Sequence, residues 1–297
     1  MIKHPFICLL VSLAVRAFDA VCDLLGMRPA VRCVVLFYHS IKLEERTRFG
    51  QQMNTLVRYA KPIDAGLRQP PSVKGTYVAV TFDDGLESVL ENALPELQQR
   101  GIPATVFVVT GTLGDYARWK DMGAGDAAGQ RAMSLEQLRE LPEDLITIGS
   151  HSVNHSFLPE IGKEELRREL VSSRETLEQL LQRKVTLFSC PYGGFNATVE
   201  RSCREAGYER MFTALPVFAF SQPNEFMTGR VRVTASDWPI EFRLKLAGAY
   251  RWLPAAFQWK RTVLSPWRKS AANEAGGLSR EARIAEDEEM FERTRSK

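Results

Sequence analysis

Short apolar runs rich in β-branched residues alternate along this chain with longer segments in which apolar residues recur every three or four positions. The first pattern reads as buried strands and the second as helices with one face on a core. Strands are predicted at 33–37, 77–82, 104–109, 145–149, 185–190, 211–214 and 230–234. Helices are predicted at 49–59, 86–99, from Ser134 onward, at 163–182 and at 197–206. Ser134-Leu135-Glu136-Gln137 has the form of a capping box, which marks a helix start. The alternation predicts an α/β fold with a mostly parallel sheet. Polar residues of chemical interest stand just after strands, at His39, Asp83, His151 and Tyr192. A closed barrel gathers such strand ends on one face, so a distorted (β/α) barrel is expected. An open doubly wound sheet is the alternative, and it brings fewer of these ends together.

The two ends of the chain follow a different pattern, and amphipathic helical extensions are expected at both. Within residues 1–28 an apolar run at 5–15 follows Lys3 and is soon interrupted by Arg16, Asp19 and Asp23. That run is too short to span a bilayer. Ser12, Arg16, Asp19 and Asp23 recur at helical spacing, opposite Phe6, Leu9, Leu10, Leu13, Ala17, Val21, Leu24 and Leu25. This predicts an amphipathic helix with a wide apolar stripe. It can lie in a membrane interface, pack on the core, or belong to a secretory signal. Residues 241–269 carry Trp252, Trp259 and Trp267 among Arg243, Lys245, Arg251, Lys260, Arg261, Arg268 and Lys269, with no acidic residue from Phe242 to Trp267. Aromatic and basic residues so mixed suit a membrane–water interface; a helix packed on the barrel with a basic solvent face is the plainer reading. Residues 270–297 form a charged tail rich in Glu, Arg and Ala, which leaves 29–240 as the main domain.

Composition adds little, with 44% hydrophobic and 25% charged residues, an ordinary globular balance. The net charge of +3 is too small to imply nucleic acid, and no protein partner is indicated. The five cysteines, Cys8, Cys22, Cys33, Cys190 and Cys203, are odd in number and form no metal-clip spacing. Free thiols fit a reducing compartment. Together with the two ends, this points to a peripheral membrane location on the cytoplasmic face of the inner membrane, with secretion as the alternative.

Candidate chemistry sits in two short motifs. Thr81-Phe82-Asp83-Asp84-Gly85 ends one apolar run, and His151-Ser152-Val153-Asn154-His155 follows another. Adjacent residues at a strand end point to different sides, so one carboxylate can ligate a metal while its neighbour faces a reacting atom. The bland reading of Asp-Asp-Gly is a surface turn. Two histidines four apart share a face if they occupy one helical turn. Two histidines and one aspartate leave open coordination positions, as catalytic metal sites do. A metal held there would polarise a carbonyl and acidify water, and the second carboxylate would serve as base.

These two motifs, with Pro191-Tyr192-Gly193, resemble the first three motifs of polysaccharide deacetylases with the NodB-homology domain, carbohydrate esterase family 4, over roughly residues 34–233. The resemblance implies a distorted (β/α) barrel that removes acetyl groups from glycans. It implies Asp83 as general base and Asp84, His151 and His155 as ligands of a divalent metal. Zinc is the first expectation, with cobalt, nickel and iron(II) as alternatives. Tyr192, flanked by Pro191 and Gly193, would offer its backbone N–H to an oxyanion. The family's third motif usually begins with an arginine that orients the base, whereas Ser189 stands there in this chain. Arg230 and Arg232 are candidates to replace it. The family's general-acid histidine usually follows the last strand, yet no histidine follows His155 here. The sequence is similar to a circularly permuted poly-N-acetylglucosamine deacetylase subgroup, which implies His39 in that role; a satisfied buried histidine is the other reading. Asp237-Trp238 resembles a fourth motif but is out of position. The expected function is metal-dependent removal of an N-acetyl group from an amino sugar in a cell-envelope polysaccharide or lipid-linked glycan. A deformylase of a lipid-linked aminosugar and a catalytically silent carbohydrate-binding protein are the alternatives.

Overall fold

The computed structural model describes residues 5–27, 31–119 and 129–256. Its strands are β1 (Val31–Tyr38), β2 (Lys61–Pro62), β3 (Gly75–Phe82), β4 (Ala104–Val108), β5 (Ile146–Ser150), β6 (Leu187–Ser189), β7 (Arg210–Phe212), β8 (Met227–Thr228) and β9 (Val231–Arg232). The helices are α1 (Pro5–Leu24), α2 (Arg46–Tyr59), α3 (Leu94–Gln98), α4 (Leu135–Glu140), α5 (Lys163–Leu181), α6 (Ala197–Glu205) and α7 (Pro239–Leu246). The sheet runs β8-β7-β6-β5-β4-β3-β1-β9, with β2 on the lower half of β3, and these ladders are parallel.

The two ends of that order are neighbours in sequence. Residues 227–232 pair with β7 through β8 and with β1 through β9, so one stretch of chain closes the sheet into a barrel. Thr213 N–H donates to Thr228 O at 3.0 Å on one side, and Val233 N–H donates to Phe37 O at 3.0 Å on the other. The predicted strand at 230–234 is therefore the second half of a closing segment that begins earlier.

Strand parity divides the core. Val34, Leu36, Val78, Val80, Val106, Ile148, Phe188 and Met211 face the helices in one large cluster. Cys33, Val35, Tyr77, Ala79, Phe107, Leu187 and Phe212 fill the barrel interior. On β3 the interior set Tyr77, Ala79, Thr81 extends by the same parity to Asp83. On β6 it reaches Ser189, and on the closing segment it selects Thr228, Arg230 and Arg232.

The predicted helix at 86–99 is a π-helical turn over Val89–Ala93 that runs into α3. Pro95 lies at the junction, where a regular helix would lose its N–H bond and crowd a preceding carbonyl. The capping box of α4 forms as expected: Gln137 N–H donates to Ser134 Oγ at 3.3 Å and Ser134 N–H to Gln137 Oε1 at 2.7 Å.

The N-terminal helix is oriented opposite to a simple amphipathic packing. Ser12 and Asp19 are 0% and 1% exposed, while Leu10, Phe18 and Leu24 are 64%, 66% and 88% exposed. Trp252 Nε1–H donates to Ser12 Oγ at 3.1 Å and the Arg251 fork engages Asp19. Cys8, Leu9 and Val15 pack on Leu244, Ala249 and Tyr250. At the C-terminal side, α7 buries Phe242, Leu244 and Leu246; Trp259, Trp267, the basic residues from Lys260 onward and the tail at 270–297 lie outside the described residues. No helix of the described chain is long and apolar enough to cross a membrane.

One glycine is fixed by interior packing. A Cβ at Gly149 would stand 2.5 Å from the Phe107 ring. Gly149→Ala should lower unfolding stability by about 1–3 kcal/mol through overpacking, read as a fall in the urea midpoint with an unchanged slope.

Candidate active site

The upper strand ends meet at one rim. The ladders run past the strands there: Asp83 N–H donates to Tyr38 O at 2.9 Å, His151 N–H to Val108 O at 2.9 Å and Cys190 N–H to Phe212 O at 3.0 Å. Backbone bonds thus fix the positions of Asp83, His151 and the Pro191 turn.

Asp83 lies buried at the barrel mouth in a polar cage. Arg230 Nη1 and Nη2 donate to its two carboxylate oxygens, each at 2.8 Å. Ser189 Oγ donates to Asp83 Oδ1 at 3.2 Å and accepts from Arg230 Nη2 at 2.7 Å. Thr81 Oγ1 accepts from Arg230 Nη1 at 3.1 Å. The guanidinium lies 4.5 Å from the Phe37 ring centroid and 5.4 Å from that of Phe107, so aromatic faces line the rest of its surroundings. Burial alone would push the Asp83 carboxyl up, but the Arg230 charge and hydrogen bonds, with His151, hold it well below the usual carboxylate range. Of the two arginines the sequence offered, Arg230 takes the orienting place.

Asp84, His151 and His155 form a second cluster, with one ligand atom from each within 4.8 Å of the others. Asp84 Oδ1 is 3.7 Å from His151 Nε2 and 3.4 Å from His155 Nε2. Two ligands each about 2.0–2.2 Å from a tetrahedral zinc stand about 3.4 Å apart, so the spacing fits a shared ion. Burial lowers the basicity of both imidazoles, which stay neutral as ligands must. His151 Nδ1 lies 2.8 Å from Ser189 O; as donor to that carbonyl it leaves the Nε2 lone pair toward Asp84.

Residues 151–155 are not a helical turn. Ser152 and His155 adopt φ of 68° and 57°, in the left-handed region, and the rings meet edge to face at 4.9 Å between centroids. The buried carboxylate of Glu169, on α5, holds this loop. Val153 and Asn154 N–H both donate to Glu169 Oε2 at 2.9 Å, and Asn154 Nδ2 donates to Oε1 at 2.6 Å. These bonds satisfy two backbone donors and a side-chain amide of a loop that has no ladder to pair them. Asp84 and Tyr192 share the left-handed conformation, with φ of 71° and 56°. Non-glycine residues pay for that geometry only where surrounding contacts enforce it, and such positions gather at functional sites.

Pro191, Tyr192 and Gly193 form a short 3₁₀ turn after β6. A Cβ on Gly193 would lie 2.5 Å from the Ala214 Cβ, so that position must be glycine. The Tyr192 ring meets the His155 ring at 4.4 Å, and the Trp119 indole stacks on the other side of His155 at 4.6 Å and 26°. His39, half-buried just after β1, is within electrostatic reach of Asp83 and His155. The rim therefore unites Asp83, Asp84, His151, His155, Tyr192 and His39. Asp237 is not among them: it accepts from Thr234 Oγ1 at 2.9 Å and pairs with Lys245. Sequence reasoning missed Glu169 and Trp119. The position of Glu169 on the buried face of α5, among apolar neighbours, was the available signal.

These features define a NodB-like distorted barrel with a clamped carboxylate beside a three-ligand cluster. The sequence profile of the polysaccharide deacetylase family matches residues 71–211. The structure is similar to that of IcaB from Ammonifex degensii, at 27% identity and a TM-score of 0.62, covering 75% of this chain and 100% of that one. YxkH of Bacillus subtilis (strain 168), named for the same family, is 26% identical over 220 residues, 70% of this chain and 73% of its own. The poly-beta-1,6-N-acetyl-D-glucosamine N-deacetylase of Staphylococcus aureus (strain MSSA476) is 24% identical over 170 residues. The match spans 57% of the length of that enzyme.

The cage around Asp83 predicts non-additive stability. Arg230→Met should cost about 3–5 kcal/mol, because it strands a buried carboxylate. Adding Asp83→Asn should recover part of that loss, a coupling that urea unfolding of the four-membered mutant cycle measures directly.

Proposed function

We propose that this protein is a metal-dependent N-deacetylase that acts on an amino sugar of a cell-envelope polysaccharide or lipid-linked glycan. The observation that supports this best is the placement of an ionised, arginine-clamped carboxylate beside the Asp84–His151–His155 ligand set. The sequence relationship to a poly-N-acetylglucosamine deacetylase supports the substrate class.

In this reading Asp84, His151 and His155 hold a divalent ion, zinc by the nitrogen-rich donor set. When bound, the ion would supply Lewis acidity toward the substrate carbonyl and toward water. Asp83 accepts the proton of the attacking water as general base. Arg230, Ser189 and Thr81 keep the carboxylate oriented and ionised, so it needs no rearrangement to do so. The Tyr192 backbone N–H donates to the oxyanion that develops as the acyl carbon becomes tetrahedral. His39 donates a proton to the departing sugar nitrogen, which leaves as an amine while acetate forms. Trp119 and Tyr192 wall the ligand cluster with aromatic surface, suited to exclude water.

Two measurements test this reading. Zinc-loaded Asp83→Asn should keep its metal and lose about 10²–10⁴-fold of amine release from acetylated glucosamine oligomers. Equal release by both proteins would remove Asp83 from the chemistry, and formate release from formylated substrates alone would redirect the reading to a deformylase. In the second, His155→Ala should lose the bound ion. The metal-dependent rise in unfolding stability, about 2.7 kcal/mol at a hundredfold excess over Kd for wild type, should vanish with it.

A further inference from the structure

Helix α1 is mounted with Ser12 and Asp19 inward. Asp19 is held by the Arg251 fork, Ser12 by the Trp252 indole, and Asp23 by Arg32 at 3.2 Å. Specific bonds to the domain therefore fix the rotation of the helix, and the consequence is an outward face of Phe6, Ile7, Leu10, Phe18, Val21 and Leu24, all exposed. The apolar surface continues onto exposed Trp238 and Ile240, with the Phe6 and Trp238 rings 6.0 Å apart. A contiguous apolar patch of this kind marks an interaction site.

We propose that this face of α1 docks in the interfacial region of an anionic lipid bilayer. Charge argues for lipid over a second copy of the chain. The exposed flank of the helix carries Arg16, and α7, which packs on α1, carries the exposed Arg243. Pairing two copies through α1 would bring like charges together, whereas anionic headgroups neutralise them and tryptophans favour that depth. The geometry suits a helix lying in the plane, its apolar side immersed about 5–10 Å.

Co-sedimentation of the full chain with phosphatidylcholine vesicles, with and without phosphatidylglycerol, tests this. The wild type should pellet with the anionic vesicles, less so at high salt. The triple variant L10S/F18S/L24S should bind about tenfold or more weakly, with an unchanged circular dichroism spectrum and unchanged turnover of soluble oligomers. Three outcomes overturn the proposal: no pelleting of the wild type, equal pelleting of the variant, or a wild-type dimer on gel filtration that the variant abolishes while neither binds vesicles. Each of these leaves the deacetylase reading intact, because soluble-substrate turnover reports on that separately.

Discussion

The barrel mouth depends on one buried ion pair. Asp83 and Arg230 stand on opposite sides of the closure, one at the end of β3 and the other within the segment that joins the sheet's two edges. Neither charge is tolerable alone at that depth, since desolvation of an unpaired ion costs several kcal/mol. Their bidentate contact therefore ties barrel closure to the orientation of the carboxylate. A rearrangement that opened the closing strand would strand both charges at once. The same contact explains Ser189, whose short side chain leaves room for a guanidinium arriving from Arg230, and whose hydroxyl bridges both partners.

The rest of the site is held by backbone geometry. Asp84, Ser152, His155 and Tyr192 all adopt left-handed conformations, in three separate loops that converge on the ligand cluster. Each is disfavoured by its own side chain, so the conformations persist because the surroundings leave no alternative. Glu169 carries much of that burden by taking up two backbone N–H groups and the Asn154 amide. Gly193 serves where even a methyl group would collide, and Gly85 where a φ of 66° calls for a residue without a side chain. The cluster is thus preorganised by contacts made away from the ligands.

Much of this was legible in the sequence, because strand parity and strand-end placement are local properties. The alternation of apolar runs located the strands, and the polar residues just beyond them identified the rim. The histidine pair was harder: its spacing matches a helical turn, but Glu169, on α5, binds the loop's N–H groups and holds it in a non-helical form. The closing strand was harder still. A segment shared between two edges leaves only two paired residues on each, too few to show a period. Helix α1 shows the same limit in another form. Its spacing predicts a helix, but which side turns inward was decided by Arg251 and Trp252, which bond Asp19 and Ser12 and which no local pattern reveals.

In the proposed reaction the clamp also sets the chemical character of the base. A carboxylate held far below neutral pH by a bidentate arginine is always ionised and correctly aimed, yet it is intrinsically a weak proton acceptor. It can act only on a proton donor made acidic by its surroundings. In that reading the neighbouring Asp84, His151 and His155 would hold the ion that creates that acidity. Orientation and acidity are therefore assigned to separate groups on adjacent residues of one strand end, and the alternation of side chains at Asp83 and Asp84 keeps them apart. In that reading, a chain that lost the Asp84–His151–His155 set would keep its clamped carboxylate and have no acidic donor for it to act on.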